Sequence, residues 1–459
     1  MNRILHDWRR SRGGRIVAAV SSGAAARVLS SFVTFLSLPL AVRYLGAERF
    51  GLWATITSSV VLLNLLDLGI AATLTNHIAR ACASGNRESA ARYTANALLL
   101  TTSVAVLAGL ELAAIWPRVN WGALFNVSAR VPPGEVSAMV AVAAVLALLG
   151  LPASLSARVF AGYQEVHLTN LVVATGTVAN LAGLVAGIAL RVSMPVLFVM
   201  AMGWVTVGNL AALATTLLSR KTWLRPQITL LEWPTVRELL GSGSGFFLIQ
   251  IAGVVVFNSD NLVVGHYLGA AQVTPYNVTW RLVGLTAVMQ SLLFPALWPA
   301  YAEAYARGDR TWMQSAFRFT MRGTLALNSA FALFLIVAGR PIIRWWIGPA
   351  AVPSLALLVA MAFWAVLSGC MTVESCLLAA VNRTREQGVL SVIAAAVNLA
   401  LSVVLVQRVG AVGVVSGTIL SYLLVLVVPQ TLMVRSALRK GSGSGRLREG
   451  RVPVAITGD

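Results

Sequence analysis

The sequence predicts an all-α polytopic membrane protein, with 12 transmembrane helices in two pseudo-symmetric six-helix lobes around a central cavity. Three observations carry this expectation. Apolar residues make up 58% of the 459-residue chain and charged residues only 11%, against roughly a quarter charged in soluble domains. Apolar runs of 20 or more residues recur from Ile16 to Val434 with short polar gaps between them, the hydropathy signature of spanning helices. Short motifs near the start of the chain return at a constant offset in its second half. The runs lack the period-two alternation of barrel strands, so helices must satisfy the backbone inside lipid. A soluble enzyme, a nucleic-acid-binding module and a porin are excluded.

Taken in order, a basic N-terminal tail (1–15) has no signal-peptide cleavage pattern and reads as a retained cytoplasmic segment. Six spans follow, at about 16–42, 50–76, 93–116, 136–157, 168–190 and 195–219, and form the N-lobe (16–219). A charged linker (220–242) leads to six more, at about 243–265, 275–302, 318–339, 352–379, 387–406 and 411–434, the C-lobe (243–434). A basic tail (435–459) ends the chain. The loops are short, and no soluble domain is left over.

The formal charge of +19, from 35 Lys+Arg against 16 Asp+Glu, sorts by loop. The side carrying both termini holds 25 basic residues and the opposite side 8, so the positive-inside rule places both termini of a multi-pass membrane protein in the cytoplasm. Membrane lipid is therefore the expected partner of the excess charge, and nucleic acid is not. The two basic residues left unassigned to either side, Arg27 and Arg281, fall inside spans. Cys82, Cys370 and Cys376 have neither metal nor redox spacing.

The repeat is specific. Arg43-Tyr44-Leu45-Gly46-Ala47 after the first span is echoed by His266-Tyr267-Leu268-Gly269-Ala270 after the seventh, and Ala81 to Arg87 by Ala304 to Arg310, both at an offset of 223. A looser echo pairs Asn180-Leu181-Ala182 with Asn398-Leu399-Ala400. Two parallel lobes related in this way are the architecture of alternating-access transporters.

Polar residues inside the spans are the candidate site. Arg27 lies roughly 16 Å into the first span at 1.5 Å per residue, where a charge facing lipid costs about 2.5–3.5 kcal/mol. Gly23, Arg27, Ser30 or Ser31, Thr34 and Ser37 make one polar stripe. The repeat carries Arg27 onto Gln250, which starts a second stripe through Val254, Asn258 and Asn261. Arg281 shares a face with Asn277, Gly284, Val288 and Ser291, and its repeat partner is Ser58. One reading pairs the two arginines with intramembrane carboxylates (Asp67, Glu111, Asp260, Glu374) to fix helix packing. The other lines a cavity with Arg27, Ser31, Thr34, Gln250, Asn258, Asn277 and Arg281 for an anionic headgroup, which a guanidinium fork suits. Asp67, Asp260 and Glu374 are ion-coupling candidates, and Glu111 reads as interfacial.

Other patterns carry no chemistry. Gly241 to Gly245 lacks the Lys-Ser/Thr of a phosphate loop and reads as a loose start to the seventh span. His6, His77, His167 and His266 have no ligand spacing, so no metal or other cofactor is expected. No catalytic constellation is present. Trp116, Trp121, Trp298, Trp345 and Trp346 read as interfacial belt residues.

The stretch from Pro39 to Trp53 (PLAVRYLGAERFGLW), continuing through Leu66-Asp67-Leu68-Gly69-Ile70 to the Ala83-Ser84-Gly85-Asn86 turn, resembles the N-terminal signature of the bacterial oligosaccharide flippases. These are the Wzx-like polysaccharide transporters of the multidrug/oligosaccharidyl-lipid/polysaccharide exporter superfamily. Gly162-Tyr163-Gln164-Glu165 and Asn170 are similar to a cytoplasmic turn of the same family. The resemblance implies export of undecaprenyl-pyrophosphate-linked oligosaccharide (O-antigen, capsule or exopolysaccharide precursor) to the periplasmic leaflet. It also implies a polysaccharide polymerase and other assembly proteins as candidate partners. An ion-coupled multidrug antiporter of the same superfamily and a non-transporting membrane scaffold stand as alternatives. Without a nucleotide-binding motif, the energy is expected from the membrane potential or an ion gradient.

Overall fold

Hydrocarbon leaves a peptide group no partner but its own helix, and the chain accordingly runs in long rods that stop where glycine permits. The computed structural model describes residues 12–439, the side chains of 12–21, 241–250, 291–296 and of 64, 71, 72, 228, 255, 257 and 289 excepted. The ends of both expected tails, and the side chains of Gln250 and Ser291, therefore lie outside the described residues. Among the described residues the regular structure is entirely helical.

Helix α1 (Arg12–Leu63) has 52 residues, more than twice the ~20 that one crossing needs. Gly46, at φ 74° and ψ 172°, breaks it into two arms, which are the first two expected spans. The second arm ends in a 3-10 turn, Asn64–Asp67, and two left-handed residues, Leu68 and Gly69, before α2 (Ile70–Ala83). Then come α3 (Arg87–Ile115), α4 (Pro133–Ala153), α5 (Leu155–Gly162), α6 (Val166–Ala189) and α7 (Met194–Thr215). The second half holds α8 (Trp233–Leu268), α9 (Ala270–Arg307), α10 (Arg310–Trp346), α11 (Leu355–Ala380) and α12 (Thr384–Val409). It ends with α13 (Ala411–Ser421) and α14 (Val428–Arg439), joined by a π-helical stretch. Nine helical stretches among the described residues are long and apolar enough to cross a membrane. One of them contains both arms of α1, and α8 and α9 add rods of 36 and 38 residues. The helix order is thus consistent with twelve crossings in a multi-pass membrane protein.

Two expectations are corrected. The second span is interrupted at Asn64–Gly69, because Gly69 takes a left-handed conformation that a continuous helix excludes. The seventh span begins at Trp233, ten residues early, so Gly241 to Gly245 lies inside α8 and not at its start. Burial explains the shift: Leu239 packs with Ile70, Leu74, Ile78, Val159 and Leu224 of the first half, and Pro234 sits in the first turn, where a missing N–H costs nothing.

The internal repeat is written into the backbone. Gly269, between α8 and α9, has φ 89° and ψ 156°, matching Gly46. Gly85 and Gly308, again 223 apart, have φ 68° and 70°. Asn86 and Asp309, one residue later, each cap a helix by accepting from the N–H of Ser89 and Trp312. Further on, the offset becomes 218: Gln164 and Asn382 have φ 59° and 61°, and Glu165 and Arg383 share φ −102° and ψ 34°. The 3-10 break in the second arm of α1 has no counterpart in α9, which is continuous.

Gly46→Ala and Gly269→Ala are expected to cost about 1–3 kcal/mol each, because only glycine occupies that backbone region without strain. Gly284→Ala, in the interior of α9 with open space beside it, should leave stability unchanged or raise it. Thermal unfolding of the three purified variants checks the order.

Candidate functional site

The two halves meet at the end of the bundle opposite the chain termini. There Thr274 Oγ1 donates to the carbonyl of Ala47, and a Cβ on Gly51 would overlap the carbonyl oxygen of Ala270. Positions 47 and 51 are the repeat mates of 270 and 274, so this is one contact made twice about an approximate two-fold axis. Arg43 reaches across to the end of α10. Its Nε donates to Ile347 O (3.3 Å) and its Nη2 to Trp345 O (3.1 Å) and Trp346 O (2.9 Å), satisfying carbonyls that a helix end leaves without partners. The mate of Arg43 is His266, whose Nδ1 lies 3.4 Å from the carbonyl oxygen of Leu124, itself the mate of Ile347. Asn126 Nδ2 donates to His266 O (3.0 Å), and Phe35 stacks on Trp346 with centroids 4.2 Å apart. The result is a seal with two-fold character, and none of its polar members was among the expected site residues.

Towards the terminal end, the first arm of α1 carries the face of that seal onward. At 3.6 residues per turn, Arg27, Ser31 and Thr34 continue the stripe that includes Phe35, Leu38 and Val42. Arg27 is exposed, and Ser31 and Thr34 are half-buried; Thr34 Oγ1 donates to Ser30 O (2.8 Å). The neighbouring flank of the same arm turns to α6, where Asn170 Nδ2 donates to Ser22 Oγ (2.9 Å) and Ser30 Oγ lies 3.5 Å from Thr177 Oγ1. The single polar stripe read from the sequence is therefore two. One flank joins α1 to α6, and the other carries Arg27 in helical register with Phe35, which stacks on Trp346.

Arg281 sits nearer the seal. Its Nε donates to Asn277 Oδ1 (2.9 Å), one turn back on α9, and it lines a cavity of about 60 Å³ in the wall of the first half with Ser37, Leu38, Trp53 and Asn180. The repeat explains the placement. Positions 38 and 281 are the mates of 261 and 58, and Asn261 Nδ2 donates to Ser58 Oγ (2.8 Å). One side of the axis closes with two small polar groups, and the other admits an arginine.

The remaining expected residues are dispersed. Asn258 donates to Val254 O of its own helix (3.2 Å). Asp260 is buried; its Oδ2 accepts from Tyr276 Oη (2.6 Å), while Oδ1 has no partner among the described residues. Tyr276 begins a ring column through Trp280 and Trp364 to Tyr422. Glu374 is also buried in the second half; Oε1 accepts from Thr431 Oγ1 (3.0 Å), and Oε2 lacks a partner among the described residues. Asp67 is buried in the 3-10 turn. The structure thus brings Arg27, Ser31 and Thr34 to one face and joins Asn277 to Arg281. It leaves Asp260 and Glu374 in separate hydrogen bonds inside the second half. Among the described residues no group of three or more His, Cys, Asp or Glu side chains could hold a metal.

Comparison with known proteins places this architecture. Residues 16–304 match the family described as "Polysaccharide biosynthesis protein". A protein of Yersinia pseudotuberculosis named for O-antigen export is 22% identical over 325 residues, covering 70% of this chain and 73% of that protein. The inward-facing structure of a multidrug resistance MATE family transporter of the MOP superfamily superposes with a TM-score of 0.75 at 15% identity, over 91% of this chain and 99% of that one. A MOP superfamily transporter from Pyrococcus furiosus, described by the reverse polarity of its binding pocket, gives a TM-score of 0.61 at 14% identity over 92% and 96% of the two chains. The structural likenesses establish a shared fold.

Gly51→Ala is expected to lower the unfolding midpoint more than Arg43→Ala. The first drives a methyl group into backbone, whereas the second removes partly solvated hydrogen bonds worth about 1 kcal/mol. Thermal melts of both variants, with labelling of a cysteine placed at Asn126 by an impermeant thiol reagent, test whether the seal loosens in that order.

Proposed function

Because the chain belongs to the polysaccharide biosynthesis protein family, we propose that it is an exporter of polysaccharide precursors. On this reading it carries undecaprenyl-pyrophosphate-linked oligosaccharide from the cytoplasmic to the periplasmic leaflet. The observation that carries this reading is the exposed Arg27, a fixed positive charge roughly 16 Å into the first expected span. A guanidinium stays charged at any relevant pH and matches pyrophosphate oxygens in a bidentate fork. Ser31 and Thr34 beside it, with Gln250, Asn258 and Asn277 on the second half, supply neutral donors and acceptors. Arg281 is a second cationic station, nearer the seal.

The lobes are 16–219 and 243–434, joined by 220–242, the last ten residues of which open α8, with both termini in the cytoplasm. A hydrophilic glycan cannot cross ~30 Å of hydrocarbon unaided, so the headgroup passes between the lobes while the lipid tail stays in the bilayer. The seal built on Arg43, Gly51 and His266 then closes the periplasmic side of an inward-facing state. Opening it, and closing the cytoplasmic side, is the rocking step of alternating access. Asp260 and Glu374, each with one carboxylate oxygen held and the other without a described partner, are suited to take and release a proton or Na⁺, and Asp67 is a third candidate.

A second reading, an ion-coupled multidrug antiporter, is favoured by the same buried carboxylates and by the fold's drug-transporting neighbours. The two separate in a deletion strain. Loss of the exporter accumulates lipid-linked repeat units and leaves drug sensitivity unchanged, whereas loss of the antiporter does the reverse.

Arg27→Ala is expected to abolish complementation of that strain at normal protein levels, and Arg27→Lys to retain part of it. Full complementation by Arg27→Ala would sink the cavity-arginine mechanism. Asp260→Asn or Glu374→Gln should weaken ion coupling more than substrate binding, which transport assays at varied gradients, alongside equilibrium binding, would show.

A further inference from the structure

The larger cavity lies elsewhere. It has a volume of about 610 Å³, between the second arm of α1, α3, α4 and α8, within the roughly 300–1,000 Å³ of small-molecule pockets. None of the residues assigned to substrate or ion lines it, and it shares His266 and Leu124 with the seal. Its wall towards mid-membrane is largely apolar, with Val60, Ala108 and Leu148; Thr55 and Ser59 also line it but spend their hydroxyls on carbonyls of their own helix, and three further polar residues gather at the sealed end: Glu111, Trp121 and His266.

Each of the three is short of a partner. Glu111 is exposed and makes no hydrogen bond or ion pair among the described residues. Trp121 is only 9% exposed, against the belt role read from the sequence, and its indole N–H has no partner among the described residues. His266 presents Nδ1 to the carbonyl oxygen of Leu124. A carbonyl only accepts, so this contact is a hydrogen bond when Nδ1 carries the proton, and in that tautomer Nε2 keeps a lone pair. The cavity therefore carries an anionic carboxylate, with an unpartnered indole N–H and an imidazole beside it, at the sealed end of an apolar wall. A carboxylate this close to hydrocarbon is costly unless a cation meets it. The repeat underlines the point, since the positions matching Ala108 and Glu111 are Phe331 and Phe334, whose rings lie 6.4 Å apart. Two aromatic rings stand on one side of the axis where the other has a small residue and an acid.

We infer that this cavity binds a bilayer phospholipid with a primary-amine headgroup: its ammonium on Glu111 and His266, its phosphate accepting from Trp121, and an acyl chain along Val60, Ala108 and Leu148. A quaternary ammonium has no N–H to donate, and an anionic headgroup meets Glu111 as a like charge.

Native mass spectrometry of the full chain, equilibrated with phosphatidylethanolamine, phosphatidylcholine and phosphatidylglycerol of matched acyl chains, tests this. One phosphatidylethanolamine should be retained with about tenfold preference over the other two, the scale of a charge-assisted hydrogen bond. Glu111→Gln, an exposed change, should erase the preference by lowering phosphatidylethanolamine retention and raising that of phosphatidylglycerol, while the unfolding midpoint stays as in the wild type. Ala108→Phe, which fills the cavity, should remove the retained lipid. Equal retention of all three headgroups by the wild type, or a preference that survives either substitution, overturns the assignment.

Discussion

Backbone satisfaction inside hydrocarbon is the constraint on which the rest of this structure hangs. A chain that cannot leave a peptide group unpaired in lipid must travel in uninterrupted helices and confine its turns to places where other partners exist. Gly46 and Gly269 make such turns in a single residue. Hydrophobic burial gives little drive for apolar helices to leave apolar lipid, so the halves are joined by close backbone approach and hydrogen bonds. Gly51 against Ala270 and Thr274 on Ala47 are contacts of this kind, and small side chains are what permit them.

On that nearly symmetric frame the chemistry is lopsided. Arg281 occupies a position where the other half has Ser58, and Asp260, held by Tyr276, occupies the position of Ser37. Arg43, with three carbonyls in reach, answers to His266 with one. The frame supplies equivalent places twice, and each half uses them for different charges. The first half carries the exposed cation Arg27, and the second buries Asp260 and Glu374. A substrate passing between them would meet two unlike walls.

Much of this was legible from the sequence because hydropathy and repetition are local signals. The runs of apolar residues located the rods, and the Tyr-Leu-Gly-Ala echo located the two turns that share a backbone conformation. Arg27 stood out because a charge deep in a span has few explanations. What stayed hidden depends on partners far away in the chain. Arg43 looked like an ordinary loop arginine until Trp345, Trp346 and Ile347 were seen beside it. The early start of α8 follows from Leu239 burying against residues 70 to 224, which no local pattern announces. Glu111, Trp121 and His266 span 155 positions and read singly as an interfacial acid, a belt tryptophan and a loop histidine; only packing brings them to one cavity. The polar stripe of the first arm was correct in composition but not in direction, because periodicity names a face without naming its neighbour.

The shared glycine geometry lets the molecule serve as its own alignment, and so records its ancestry. Gly46 with Gly269, and Gly85 with Gly308, kept residue and conformation together across a separation of 223 positions. Asn86 and Asp309 exchanged side chains but preserved the cap. A duplicated half-length ancestor, pairing with a copy of itself about the axis of the present seal, would account for all three. Its descendants were then free to diverge wherever the backbone did not object. The places where the two halves still agree mark what folding demands, and those where they part, Arg27 from Gln250 and Ser58 from Arg281, mark what was gained once the halves shared one chain.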